Sequence, residues 1–161
     1  SQEICFIPDN DYGRFLRDYA PGSIKPGEIV DTEGHVLGEH PGVAFFTVGQ
    51  RKGLGIATGS PLYVVRIEPE TNRVVVGRGE ECFFKEFNVT DLNWIAWETP
   101  PDSAEVEVKI RYSAPPAPAI IVPHEHGVRV SLKQPQRAVT PGQAAVFYRG
   151  DLVIGGGTIE R

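Results

Sequence analysis

Turn-forming residues interrupt this sequence so often that only short elements fit between them. The chain of 161 residues contains 18 glycines and 14 prolines, a density that is typical of short strands joined by tight turns. Between these turns, residues 105–112 alternate strictly between charged side chains and apolar or aromatic ones. A period of two gives a strand one buried and one exposed face. The sequence therefore predicts a mainly β protein.

The spacing of the short strands predicts a small closed β-barrel over residues 61–161. About six strands are expected, at residues 62–67, 74–77, 105–112, 128–133, 144–148 and 152–154. The three glycines at 155–157 are followed by no helical pattern, so they indicate a bulge or kink before the last strand.

The first 60 residues differ from the rest, because one helix precedes a series of turns. Four aromatic or aliphatic side chains between Tyr12 and Tyr19 follow the spacing of one helical face, and Asp9 or Asn10 can cap the helix. The sequence predicts a helix over residues 9–19. We therefore expect residues 1–60 to form a small, irregular α/β domain.

Charge and composition limit the classes of function. The formal net charge is −5, and neither half of the chain is basic overall, so RNA binding would depend on a few well-placed cations. No apolar run approaches the roughly 20 residues that span a bilayer, and two cysteines are too few for a disulfide scaffold. We expect no membrane association and a cytoplasmic location. Because the sequence contains no methionine, we expect it to be a piece of a longer protein.

Cys5 allows two interpretations. Its neighbours Ile4 and Phe6 are typical of an inert, buried thiol. The alternative is a nucleophile or sulfur carrier, whose thiolate the positive end of the predicted helix would stabilise. Cys82 is a poorer candidate, because the carboxylates of Glu80 and Glu81 disfavour a thiolate beside them.

Residues 47–56 form a glycine-rich loop with two adjacent cations. Gly49, Gly53 and Gly55 would let the backbone approach a ligand closely, and Arg51 and Lys52 would supply positive charge for a phosphate. The loop lacks the Gly-Lys-Ser/Thr ending of a nucleotide-binding P-loop. The alternatives are a phosphate-binding loop, a nucleotide site that binds ATP by itself, and an exposed turn.

Three further polar residues stand next to the predicted barrel strands. Arg111 offers a guanidinium for phosphate and Tyr112 a ring for base stacking, although such a pair can also be a plain strand end. A Thr-Pro-Gly turn would hold Gln143 at the start of a strand. Residues 124–126 lack the spacing of a metal site, so we expect no metal.

The order of these segments resembles the tRNA-specific 2-thiouridylase (MnmA/TrmU) family. The matching segments are residues 1–7, 30–34, 47–56, 109–112, 135–148 and 155–157. The resemblance implies a central domain followed by a C-terminal barrel similar to an elongation-factor barrel. It also implies an upstream N-terminal domain that binds ATP and Mg²⁺, so no cofactor is expected on this chain and the chain alone is expected to be inactive.

The family's reaction is the 2-thiolation of the wobble uridine, position 34 of certain tRNAs. The resemblance implies that ATP is used to adenylate the C2 oxygen of the uridine and that a cysteine persulfide delivers the sulfur. A second cysteine, upstream of this chain, assists the release and ends in a disulfide with the first. The expected partners are tRNA and a sulfur-relay protein or cysteine desulfurase.

The resemblance assigns roles to single residues of this chain. Cys5 matches the persulfide cysteine, and Arg111, Tyr112 and Gln143 match the residues taken to contact tRNA. For Arg51 and Lys52 a tRNA-phosphate contact is inferred from charge and glycine content. The alternative function is a non-catalytic RNA-binding or interaction module in which Cys5 is structural.

Overall fold

The computed structural model describes Arg14, Asp18 and residues 24–57, 59–112 and 114–160. The chain divides into two compact units, Ser1–Glu80 and Glu81–Arg161. Arg14 and Asp18 are helical, whereas the rest of the predicted helix and Cys5 lie outside the described residues. Within the described part of the chain, no helix is long and apolar enough to cross a membrane.

The first unit contains a four-stranded mixed sheet in the order β2-β1-β4-β3. The strands are β1 (Gly27–Val30), β2 (Val36–His40), β3 (Tyr63–Glu68) and β4 (Arg73–Gly77). The two central strands, β1 and β4, are parallel, and the outer pairs are antiparallel. β4 contains the uninterrupted apolar run 74–76, all fully buried, which is typical of a central strand covered on both faces.

The second unit is a closed barrel of six antiparallel strands, as predicted, with neighbours in the ring β10-β5-β8-β7-β6-β9. Its strands are β5 (Phe83–Trp94), β6 (Ala104–Lys109), β7 (Ala117–His124), β8 (Gly127–Arg137), β9 (Ala144–Arg149) and β10 (Leu152–Glu160). The alternation in β6 points Val106 and Val108 inward, onto a core that includes the fully buried Phe147. β6 ends at Lys109, earlier than predicted.

The boundary between the units differs from the predicted boundary after residue 60. The segments 62–67 and 74–77 do form strands, but these strands (β3 and β4) belong to the first sheet and not to the barrel. The physical reason is the parallel pairing of β4 with β1, which places Val74 opposite Ile29 and buries both completely. The sequence signal of a strand is local, whereas its pairing partner is not.

Two barrel strands, β5 and β7, were missed by the sequence patterns. β7 contains Pro118 and Pro123 yet pairs with both β6 and β8. Prolines usually exclude a segment from the interior of a sheet because they lack the N–H donor. β5 has a register irregularity between Phe84 and Glu86 and a left-handed Asp91 (φ 49°), so its alternation is hard to recognise.

The glycines at 155–157 form the predicted irregularity within β10. The register of β10 shifts between Val153 and Gly155 against β9, and between Gly156 and Thr158 against β5. A Cβ atom added to Gly157 would lie 2.2 Å from the carbonyl oxygen of Thr90. The glycines therefore allow neighbouring backbones to approach more closely than side chains would permit.

Candidate nucleic-acid interface

One end of the barrel carries the three residues predicted to contact RNA in this unit. Arg111 and Tyr112 follow the end of β6 and are exposed, and Tyr112 has 81% of its surface accessible. Gln143 immediately precedes β9 and is also exposed. Lys109 at the end of β6 lies opposite Val146 near the start of β9. Because the strands are antiparallel neighbours, this register brings Arg111, Tyr112 and Gln143 to the same end of the barrel.

The backbone around Gln143 is held firmly although its side chain is exposed. The N–H of Gly142 donates to the carbonyl of Ile159 (2.9 Å), and the N–H of Ile159 donates to the carbonyl of Gln143 (2.8 Å). The N–H of Gln143 closes the turn onto the carbonyl of Thr140 (3.2 Å). Gly142 adopts the left-handed conformation (φ 80°) that the turn requires. The Gln143 side chain thus starts from a fixed backbone position.

The exposed Tyr112 ring has a cation beside it. The Nζ atom of Lys109 lies 5.5 Å from the ring centroid, a distance at which an ammonium is attracted to the face of an aromatic ring. Sequence reasoning quoted Lys109 within the alternating strand and assigned it no role. The spacing gave no signal, because residues three apart in a strand point to opposite faces, and the contact depends on β6 ending at Lys109.

The loop over residues 47–56 is ordered by hydrogen bonds from Gln50. The Gln50 side chain accepts from the N–H of Thr47 (3.0 Å) and donates to the carbonyl of Lys52 (2.9 Å). The loop also pairs with β3 at Val64, whose N–H donates to the carbonyl of Gln50 (2.9 Å). Gly49, Gly53 and Gly55 have φ values of 87°, 74° and 70°, the left-handed region that favours glycine. These constraints present Arg51 and Lys52 as exposed cations.

A groove of about 450 Å³ lies beside this loop, within the first unit. Arg51 is its one charged lining residue, and the other lining residues are Gly53–Ile56 and Gly59–Leu62 in the part of the chain described. Leu54 is buried and anchors the loop to the sheet core. The chain continues from the groove into strand β3 and not into a helix. The arrangement therefore differs from a P-loop, which ends at the N-terminus of a helix.

The turn between β1 and β2 contains a compact group of polar side chains that sequence reasoning did not single out. One oxygen of Asp31 accepts from the N–H groups of Glu33 and His35 (2.9 Å each), and the other lies 2.9 Å from Nδ1 of His35. The His35 N–H bond is the main cause that lowers the pKa of Asp31, and the bond to Asp31 raises the pKa of His35. Both Asp31 oxygens already have partners within the turn, so these side chains stabilise the turn between β1 and β2.

Cys82 lies in the interior of the barrel unit. It is fully buried, and its carbonyl accepts the N–H of Ala138 (2.9 Å). Cys5, the other candidate, lies outside the described residues. Its assignment therefore continues to depend on the sequence motif.

Comparisons with known proteins connect both units to one family. A family model described as a tRNA methyl transferase PRC-barrel domain matches residues 13–78, and one described as an aminomethyltransferase beta-barrel domain matches residues 84–159. A tRNA-specific 2-thiouridylase MnmA from Acetivibrio thermocellus is 55% identical over 161 residues, which are 99% of this chain. The chain belongs to the tRNA-specific 2-thiouridylase family. The gap between the two matched segments also contains the division between the units at Glu80 and Glu81.

Other 2-thiouridylases match over the same extent. The protein from Carboxydothermus hydrogenoformans is 52% identical over 100% of this chain, and the protein from Clostridium perfringens is 52% identical over 99%. The three relatives are longer than this chain, which spans 44% to 45% of their lengths. The 2-thiouridylase match therefore covers both structural units, while more than half of each relative has no counterpart in this sequence.

Proposed function

We propose that this chain is part of a cytoplasmic enzyme that transfers sulfur to C2 of the wobble uridine of tRNA. In this proposal the barrel end with Arg111, Tyr112 and Gln143 contacts the tRNA. The observation that supports it is the grouping of these three exposed residues at one end of the barrel by the register of β6 and β9. Gln143 is distant in sequence from the adjacent Arg111 and Tyr112, and the strand register brings it to their end of the barrel.

The chemistry of the three side chains suits unpaired RNA. A guanidinium binds phosphate oxygens through two parallel hydrogen bonds, and an exposed tyrosine ring can stack on a base. An amide such as that of Gln143 can both donate to and accept from RNA groups. Bases of an anticodon loop are splayed out at lower cost than bases of a duplex. A protein with a net charge of −5 would thus bind tRNA through a small cationic surface.

Arg51 and Lys52 are the proposed second contact with tRNA phosphate. The hydrogen-bonded loop holds their backbone in place, and both side chains are exposed. A loop whose backbone is already ordered loses little backbone freedom when a phosphate binds. This proposal is restricted to the first unit and assigns no nucleotide to the groove.

The sulfur chemistry is proposed for Cys5, as the family resemblance implies. As a persulfide, Cys5 would attack C2 of the adenylated uridine with its outer sulfur, and AMP would leave. A second cysteine of the full-length enzyme would then attack the Cys5 sulfur, so that the persulfide S–S bond breaks, 2-thiouridine is released and a disulfide forms with Cys5. As the family resemblance implies, we assign the use of ATP and Mg²⁺ to the part of the relatives without a counterpart here. A sulfur-relay protein or cysteine desulfurase would supply the sulfur.

The tRNA interface can be tested in the full-length enzyme with matched arginine variants. Arg111→Ala should weaken tRNA binding roughly tenfold, since it removes a charged hydrogen-bonding partner of phosphate. Arg129→Ala is the control, because Arg129 lies on the outside of β8, near the opposite end of the barrel, with its guanidinium 3.0 Å from Nε2 of His124. Equal binding by both variants, measured by filter binding, would contradict the proposed interface.

One substitution distinguishes the proposed enzyme from the alternative, a non-catalytic RNA-binding module in which Cys5 is structural. Cys5→Ser should abolish thiolation by the full-length enzyme and leave tRNA binding intact. Mass spectrometry of the parent enzyme with its sulfur donor should find an adduct of about 32 Da on Cys5, one added sulfur atom. Normal thiolation by the Cys5→Ser variant would favour the alternative.

A further inference from the structure

Lys109 differs from the other charged residues of β6 in what it contacts. Glu105 and Glu107 lie on the same outward face of the strand, and Glu105 forms an ion pair with Lys133 of β8 (3.2 Å). The Lys109 ammonium instead lies over the Tyr112 ring, 5.5 Å from its centroid. Among the residues that the structure describes, Lys109 forms no ion pair. Its positive charge is therefore available to a ligand.

Lys109 lies over one face of the Tyr112 ring, so the two faces of the ring differ in their surroundings. One face of the ring contacts the ammonium, and the ring as a whole is 81% exposed. An ammonium over one face restricts the motion of the ring and leaves the opposite face open for stacking. An unpaired nucleotide that stacks there brings its own phosphate groups close to the ring.

The residues around Lys109 favour a phosphate over other ligands. Lys109 lies opposite Val146 in β9, and the next residue before Tyr112 is the exposed Arg111. Lys109 lies over the ring, and Arg111 adds a second exposed cation at the same end of the strand. Farther along the outside of β6 the charges are those of Glu105 and Glu107, which would repel a phosphate. On β6 itself, positive charge is therefore found only at the end of the strand.

We propose that Lys109 is an additional tRNA-binding residue. It positions the Tyr112 ring through a cation–π contact and binds a phosphate next to the nucleotide that stacks on the ring. The ligand is an unpaired RNA nucleotide with its flanking phosphate. The inference rests on the proposed tRNA interface and extends it from Arg111, Tyr112 and Gln143 to a residue within the strand.

The test measures tRNA binding by the full-length enzyme as a function of KCl concentration. Lys109→Gln should weaken binding roughly three- to tenfold near 0.1 M salt. It should also reduce the slope of log K against log salt by about 0.7 to 0.9, the contribution of one phosphate contact. Lys109→Arg should preserve the slope. Lys133→Gln is the matched control, since it removes an equal charge from the barrel wall, where Lys133 is paired with Glu105.

A kinetic measurement separates this role from a structural one. Lys109→Gln should raise the KM for tRNA and leave kcat at saturating tRNA unchanged, because it removes binding and not chemistry. If Lys109→Gln bound tRNA like Lys133→Gln while Arg111→Ala weakened binding, the inference would be overturned and the proposed function would stand. If Arg111→Ala also matched the control, both the inference and the proposed interface would be overturned.

Discussion

His40 and His35 show how two residues of one type acquire opposite properties within a short segment. His40 is 2% exposed, packs edge-on against Phe46 and lies with Nε2 3.2 Å from the carbonyl oxygen of Asn72. Among the described residues, its Nδ1 atom has no hydrogen-bond partner. Burial lowers the pKa of His40 more than the Asn72 carbonyl raises it. The exposed His35 has a raised pKa because Asp31 stabilises its charged form.

These shifts predict opposite titrations for the two rings. NMR of the ring protons, assigned with His35→Gln and His40→Gln, should find the midpoint of His40 below the ordinary value of 6.5 and that of His35 above it. Because unfolded His40 binds protons more readily, its contribution to stability is complete above about pH 6.5 and is lost as pH falls through the folded pKa. His35 has the reverse dependence, complete below about pH 6.5 and lost as pH rises through its folded pKa. A His40 midpoint at or above that of His35 would contradict the burial argument.

Asn72 shows how a single turn residue joins distant parts of the first unit. It adopts a left-handed conformation (φ 53°) between β3 and β4, which asparagine tolerates better than most residues. Its side-chain nitrogen donates to the carbonyls of Lys25 (3.2 Å) and Pro26 (2.7 Å). A Cβ atom on Gly27 would lie 2.0 Å from the Asn72 carbonyl oxygen, so β1 passes close to this turn. The strands on either side of this turn were predicted, but these long-range contacts were not.

Strand β10 depends on the small size of its glycines. Gly157→Ala would place a methyl group 2.2 Å from the Thr90 carbonyl oxygen, a contact that requires the backbone to move. We expect the substitution to destabilise the barrel by about 3 kcal/mol or more, as for other severe overpacking. Both tryptophans, Trp94 and Trp97, lie in the barrel unit, so urea unfolding followed by tryptophan fluorescence measures the effect.

Gly59→Ala is the control for this substitution. A Cβ atom at Gly59 meets no atom within 4 Å, and its φ is not in the left-handed region. Its unfolding midpoint should stay within experimental error of the parent. Equal midpoints for Gly157→Ala and Gly59→Ala would show that β10 shifts at little cost and that the glycine is not needed for its packing.

The strands also show where local patterns are sufficient and where they fail. The strict alternation at 105–112 predicted the existence of β6 but not its end at Lys109. A strand with one buried face produces such an alternation of polar and apolar residues. β7 carries the same information in its buried Ala117, Ala119 and Ile121. Small residues and two prolines make this alternation hard to recognise, because they have a low propensity for strands. The strand is stabilised by pairing with β6 on one side and β8 on the other.

For the molecule as a whole, the chain can be tested for activity without the part that only its relatives contain. The chain spans 45% of the Acetivibrio thermocellus relative, and we assign the use of ATP to the remainder. The 161-residue chain should therefore incorporate no sulfur into tRNA when ATP and a sulfur donor are present. The full-length enzyme under the same conditions is the positive control, and labelled sulfur in tRNA is the readout. Incorporation by the chain alone would show that it contains every catalytic group.

The sequence by itself determined the class of fold, the presence of a small closed barrel and the family. These properties follow from features that repeat locally or stand in a fixed order, such as alternating side chains, turn residues and motifs along the chain. The sequence also placed Arg111, Tyr112 and Gln143 next to strand ends, and it named Cys5 on its motif alone.

Only the tertiary structure decided which sheet each strand joins, where the units divide and which side chains meet. β4 joins β1 because parallel pairing buries Ile29 and Val74 together, a gain that no local window contains. Likewise, Gln143 reaches the end of the barrel near Tyr112 through the register of β6 and β9. Pairing between strands distant in sequence depends on the free energy of the whole core, so it is settled only when the chain has folded.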